Sequence, residues 1–282
     1  MTPTLLQLDR VVEAVRQLPS LPAVVMELLE SAEREDVNAD ELAEKIALDQ
    51  ALAAKALKVA NSPFYGLQSK VATIQDATVI LGLRQVRSLV TAAAVTGAFP
   101  ASAAGWFNPH LFWQHCVGVA LCARTLAPEA GLSPDGAFTA GLLHDIGRLV
   151  LVTGFPEEYK QVSVYQKKHD CFLLTAERDV LGLDHATVGR ALAERWRFAP
   201  SIQEAVAFHH APEEATATSL AGLVHVADVM AHALDLCPRE DELVPPLSSV
   251  AWNRLGISWP RFKTLLSKVE DQFDDVCSAL NI

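Results

Sequence analysis

Between Arg87 and Arg124 the chain carries no aspartate, glutamate, lysine or arginine. So long an uncharged run must lie in a core or in a membrane, because burying apolar surface gains about 25 cal/mol per Å2. A membrane span needs about 20 continuous apolar residues. Here Gly97, Pro100, Gly105, Asn108-Pro109 and His110 interrupt the run, and its apolar residues are largely alanine and valine. The stretch reads as core helix, loop, core helix. With 282 residues, 50% of them hydrophobic, the chain can bury one large core or two smaller ones. Modest aromatic content and the prominence of alanine and leucine favour an all-α fold.

Local punctuation supports that class. Leu5, Leu8, Val11, Val12, Val15 and Leu18 have helical spacing. Leu18-Pro19-Ser20-Leu21-Pro22 then breaks the chain and launches a helix from Ala23 to about Glu35. Asn38 and Asp49 are N-cap candidates, Thr73 to Asp76 opens a helix that stops at Gly82, and another runs from about Arg84 to Ala98. Asn108-Pro109 starts a helix carrying Leu111, His115, Val119, Cys122 and Leu126 on one stripe. Further helices are expected over Glu157 to His169, over Thr175 to Val180, after Asp184, from Pro200 to the His209-His210 pair, and after a Ser219 cap. On the last of these, Val224, Ala227, Asp228 and Ala231 share a stripe. The division expected is a helical subdomain over 8–100, a second over 101–235, and a linker with a helical tail over 236–282. Residues 237–249 read as the linker and Trp252 to Ile282 as one or two helices that dock or contact a second copy.

Net charge is −11 and no basic cluster stands out, which argues against a broad nucleic-acid surface. Lys55, Lys58, Arg84 and Arg87 read as a solvated helix face. The five cysteines are scattered, odd in number and contain no Cys-x-x-Cys pair, as expected of reduced, packed thiols. No signal peptide is evident, so the expectation is a soluble, cytoplasmic protein with no membrane contact.

The chemistry centres on Gly141-Leu142-Leu143-His144-Asp145-Ile146-Gly147-Arg148. Ser133 can cap a helix, Pro134 suits its first position, and Asp135 suits the positive end of its dipole. His144 and Asp145 are then expected two to three turns into a buried helix, their side chains about 100° apart. A buried carboxylate needs a compensating partner. Alone, each of the other candidates has a structural explanation: His115 as a satisfied core histidine, His185 in a first turn, His209 and His210 at a helix end, Asp228 on a buried stripe. Together they supply five imidazoles and two carboxylates, a donor set suited to Fe, Mn, Ni or Zn and numerous enough for two divalent ions. Two such ions would clamp a phosphoryl group and activate a water.

The order His115…His144-Asp145…Asp228 resembles the HD superfamily of metal-dependent phosphohydrolases. His185 and His209-His210 resemble the additional metal ligands of the HD-GYP phosphodiesterases. Leu18-Pro19-Ser20-Leu21-Pro22, Leu48 to Leu52, Lys58 to Gly66, Ile80 to Leu83, Ala140 to Gly147 and Asp184 to Gly189 are similar to the HDOD domain, over roughly residues 10 to 235. The resemblance implies an all-helical, multi-helix HDOD fold whose HD-type bundle carries the His/Asp metal site, and a role as a bacterial signalling or regulatory module. It implies metal ligation by His115, His144, Asp145, His185, His209, His210 and Asp228, with Asp145 bridging two ions and Arg148 contacting phosphate. The chain lacks the Gly-Tyr-Pro run of HD-GYP enzymes after His210 and has arginine at 148 where those enzymes carry lysine, a different phosphate fork. Signalling partners, a nucleotide or phosphorylated small molecule, and a homo-oligomer are the expected partners. A metal-bearing regulatory module and a di-metal phosphohydrolase or phosphodiesterase are both compatible with the sequence.

Overall fold

The structure, a computed structural model, describes residues 5–30, 38–99, 105–216, 220–237 and 243–282. The expected helix end near Glu35, Pro100, the Ser219 cap and the middle of the 237–249 segment lie outside the described residues. Among those described there are sixteen α-helices and no strand.

The N-terminal part comprises α1 (Leu8–Gln17), α2 (Ala23–Glu30), α3 (Ala39–Leu48), α4 (Gln50–Ala60), α5 (Ile74–Leu81) and α6 (Leu83–Ala98). Asn38 caps α3 through the backbone N–H groups of Asp40 and Glu41, and Asp49 caps α4 through that of Leu52. Thr73 and Asp76 cap α5 reciprocally. Asn61 closes the following turn with two side-chain bonds to the Val71 backbone, both 2.8 Å. The basic side chains are anchored: Lys55 Nζ donates to Thr96 Oγ1 at 2.6 Å and Lys58 Nζ to the Ser278 carbonyl at 2.7 Å.

The second part is built around α7 (Pro109–Leu126), started by Asn108 and almost wholly buried. The described part of the charge-free run thus supplies most of α6 and α7, and most of its apolar residues are core. No single helix among the described residues is long and apolar enough to cross a membrane. Pro134–Gly154 and Pro156–His169 meet that test only as a pair bent by 118°. Around α7 come α8 (Pro134–Leu143), α9 (Ile146–Gly154), α10 (Pro156–His169), α11 (Leu173–Leu181), α12 (His185–Arg195), α13 (Pro200–Phe208) and α14 (Leu220–Ala233). The tail forms α15 (Ser249–Leu255) and α16 (Trp259–Leu280), and α16 lays its apolar side on α7 and α4. No disulfide joins the five cysteines.

One expectation is corrected here. His144 and Asp145 do not sit within one continuous helix; they form the break between α8 and α9. Two close helix contacts flank it. A Cβ on Gly141 would stand 2.8 Å from Ala120 Cα, so α8 is pressed directly on the α7 backbone. A Cβ on Gly147 would stand 2.5 Å from Gly189 N and overlap the His185 carbonyl, so α9 is pressed on α12. His144 and Asp145 lie between these two crossings.

Candidate metal centre

Each candidate is delivered by a separate element. His115 lies mid-way along α7, His144 and Asp145 at the α8–α9 break, His185 at the first position of α12, His209 and His210 just past α13, and Asp228 on α14. Asp184 fixes the start of α12: its Oδ1 accepts from the Thr187 N–H and hydroxyl, both 2.9 Å, and Arg178 donates to its Oδ2 at 2.8 Å. All seven candidate ligands come together. Asp145 Oδ1 is 3.1 Å from His185 Nε2, and 3.7 Å from the Nε2 atoms of both His144 and His209. Asp228 Oδ1 is 3.2 Å from His115 Nε2 and 3.8 Å from His144 Nε2. His210 Nε2 is 2.9 Å from His185 Nε2.

The rings are oriented from outside. His144 Nδ1 donates to the Gly141 carbonyl at 2.7 Å and His209 Nδ1 to that of Val206 at 2.9 Å. A carbonyl oxygen only accepts, so in the neutral rings these contacts leave each Nε2 lone pair facing inward. His185 Nδ1 faces Glu177 Oε2 at 2.6 Å. Several imidazole nitrogens therefore face one another and two carboxylates, and one or two protons cannot satisfy them all. Asp228 Oδ1 is buried and no described group meets hydrogen-bond geometry at it. Clusters of inward nitrogens around an unsatisfied carboxylate oxygen, with outer groups fixing the tautomers, fit divalent cations. Asp145, His185, His209 and His210 form one compatible set, and His115, His144 and Asp145 another.

The electrostatics agree. Burial alone would raise the carboxyls of Asp145 and Asp228, but the surrounding imidazoles hold both well below the usual range, with Arg148 adding to the effect at Asp145. Burial brings His144 down to about 4 against the pull of Asp145 and Asp228. Burial also works against the charged form of His185, but Glu177 and Asp145 outweigh it and push this imidazole up to about 10.

Arg148 Nη1 donates to Asp145 Oδ2 at 2.8 Å and its guanidinium lies 5.7 Å above the Phe112 ring. It thus braces the carboxylate as well as lining the site cavity. That cavity, of about 200 Å3, reaches His115, His144, Asp145, Asp228 and Arg148, and is walled by residues 172–175 and by Leu243, Pro245 and Pro246.

Two residues at the site were not anticipated. Glu177 is fully buried on α11 and accepts from Tyr159 Oη, from the His185 backbone and from its ring. His232 Nε2 stands 3.4 Å from Asp228 Oδ1. Both had a signal: Glu177 lies on the stripe of Ala176 and Val180, and His232 lies four residues after Asp228. His225 belongs to the same helix and lines the cavity, but both its ring nitrogens are engaged, Nδ1 on the His209 carbonyl at 2.8 Å and Nε2 accepting from Ser248 N at 2.9 Å.

An all-helical fold with buried histidines and aspartates from separate helices defines an HD-type protein. Within that class, the chain belongs to the HDOD domain family, whose model matches residues 18–212. A provisionally named phosphohydrolase from Shewanella amazonensis SB2B superposes with a TM-score of 0.77 at 31% identity, over 96% of this chain and 97% of that one. A provisionally named signal transduction protein from Marinobacter aquaeolei VT8 shares the fold, with a TM-score of 0.78 at 20% identity over 97% of this chain and 65% of that one. An uncharacterized protein of Treponema pallidum (strain Nichols) is 26% identical over 211 residues, 72% of this chain. The chain spans 40% of the length of that curated relative.

Proposed function

We propose that this protein is a metal-bearing HDOD regulatory module that binds a phosphorylated ligand, of nucleotide type, at its His/Asp cluster. The carrying observation is that the imidazoles of His115, His144, His185 and His210 and both carboxylates line one cavity of about 200 Å3. His115, His144, Asp145 and Asp228 would hold one ion, and Asp145, His185, His209 and His210 a second. Ions bound there would neutralise a phosphoryl group and lower the pKa of a water. Arg148 holds Asp145 in place, and Glu177 fixes the ring of His185. Phe172, 40% exposed at the cavity wall, offers a flat apolar face to a base.

A second reading, turnover of a phosphoester, is favoured by the access the cavity gives to both carboxylates and by the 31% identity to the Shewanella protein. Metal analysis of protein purified without chelator, followed by binding and hydrolysis screens on nucleotides and phosphodiesters, separates the two. Bound metal with ligand binding but no turnover supports the regulatory module. Hydrolysis abolished by Asp145→Ala supports the enzyme. Absence of bound metal overturns both.

A further inference from the structure

We infer that His232 is a metal ligand of the Asp228 ion, a position that the order His…His-Asp…Asp does not contain. This rests on the metal-binding reading above and adds a donor to it. On α14, Asp228 and His232 are four residues apart and so share one face, the spacing by which a single helix offers two ligands to one ion. His232 Nε2 lies 3.4 Å from Asp228 Oδ1, and His115 Nε2 lies 3.2 Å from the same oxygen. With metal–ligand bonds of about 2.1 Å, the edges of a tetrahedral shell are about 3.4 Å. The three donor atoms all lie within 4.8 Å of one another. The His115 and His232 rings pack 4.7 Å apart between centroids, so the two nitrogens flank the carboxylate together.

The competing account is an ion pair between a charged His232 and Asp228. An ion pair would bring a ring N–H into line with the oxygen. Instead, the buried Oδ1 meets hydrogen-bond geometry with no described group. Position separates His232 from its partners as well. Its side chain is 16% exposed, against 5% for that of His115 and 4% for that of Asp228. It lines the main cavity and also a smaller one of about 30 Å3 shared with Asp235 and Cys237. His232 is therefore the most exposed of the three donors. With it, the ion at Asp228 has two imidazoles and a carboxylate, a set that favours Fe, Ni or Zn over Mg or Ca.

The test is metal uptake by the full chain. Protein stripped with chelator is titrated with Zn2+, and separately with Mn2+ followed by electron paramagnetic resonance, in wild type, His232→Ala and His232→Glu. Wild type is expected to take up two equivalents. His232→Ala should keep one and bind the other at least about tenfold more weakly, with an unchanged metal-free melting temperature. His232→Glu should recover much of the loss, because a carboxylate also ligates; in an ion pair it would repel Asp228 and bind worse than alanine. Equal uptake by His232→Ala and wild type, or His232→Glu below His232→Ala, overturns the inference alone. A wild type that takes up no ion overturns the metal-binding reading with it.

Discussion

Glu177 holds His185 twice: one carboxylate oxygen takes the backbone N–H of His185 at 2.9 Å and faces its ring Nδ1 at 2.6 Å. Its other oxygen accepts from Tyr159 Oη at 2.5 Å. Main chain and ring are thereby fixed by the same anion, so the start of α12 and the direction of a candidate ligand cannot vary independently. Removing that charge frees the ring. Glu177→Gln is expected to weaken metal uptake about 10- to 100-fold, the usual cost of losing a group that orients a ligand. Calorimetric titration with Zn2+ checks it.

Metal uptake should release a proton from His185. In the ion-free protein this imidazole is pushed up to about 10, so it is charged at neutral pH, whereas a ligand must be neutral. Affinity should rise about tenfold per pH unit toward that value. The stability of the ion-free fold runs the other way. A folded pKa raised above the ordinary 6.5 contributes stability that is complete below pH 6.5 and lost as pH rises through about 10. Melting curves with and without metal between pH 6 and 10 should therefore diverge; parallel curves would contradict the assignment.

Gly147→Ala should be among the most damaging single substitutions in the chain. Its methyl would meet backbone, at 2.5 Å from Gly189 N, and backbone cannot rotate aside as a side chain can. We expect a loss of about 3 kcal/mol or more by denaturant unfolding. Gly222→Ala is the control, because the added carbon would make only ordinary contacts of 3.7 Å or more.

Asp184→Ala removes the cap of α12 together with the Arg178 ion pair, and should cost about 1–2 kcal/mol at neutral pH. Burial alone would raise this carboxyl, but the two Thr187 donors and Arg178 hold it below its ordinary 3.8. A depressed folded pKa gives stability that is present above the unfolded value and lost as pH falls through the folded one. The gap between wild type and variant should therefore be constant above about pH 5 and narrow below pH 4, as read by urea unfolding.

Much of the site was legible because histidine and aspartate on an apolar stripe or at a cap are conspicuous. His115 and Asp228 interrupt buried helix faces, and His185 follows a recognisable N-cap. The break at His144-Asp145 was not legible. Leu142, Leu143 and Ile146 continue an apolar pattern with no proline, and the two helix crossings that flank the break involve residues remote in sequence. Glu177 and His232 escaped for a related reason: each meets its neighbour from another helix, His185 for Glu177 and His115 for His232, and a stripe names no such neighbour. Of the fold, the helix starts at Asn38, Asp49, Thr73, Asn108, Ser133 and Asp184 could be read from their caps, because capping is local chemistry. The packing of α16 on both α7 and α4 could not, since an amphipathic face names no partner.

At Gly147 and Gly189 two main chains touch with no side chain between them. The span from Asp145 to His185 is consequently a property of the scaffold and is not renegotiated each time a rotamer changes. A cation arriving there meets donors already in position and is spared most of the ordering entropy that a collapsing site would exact. The same crossing is buttressed from outside, because α1 rests on both α9 and α12.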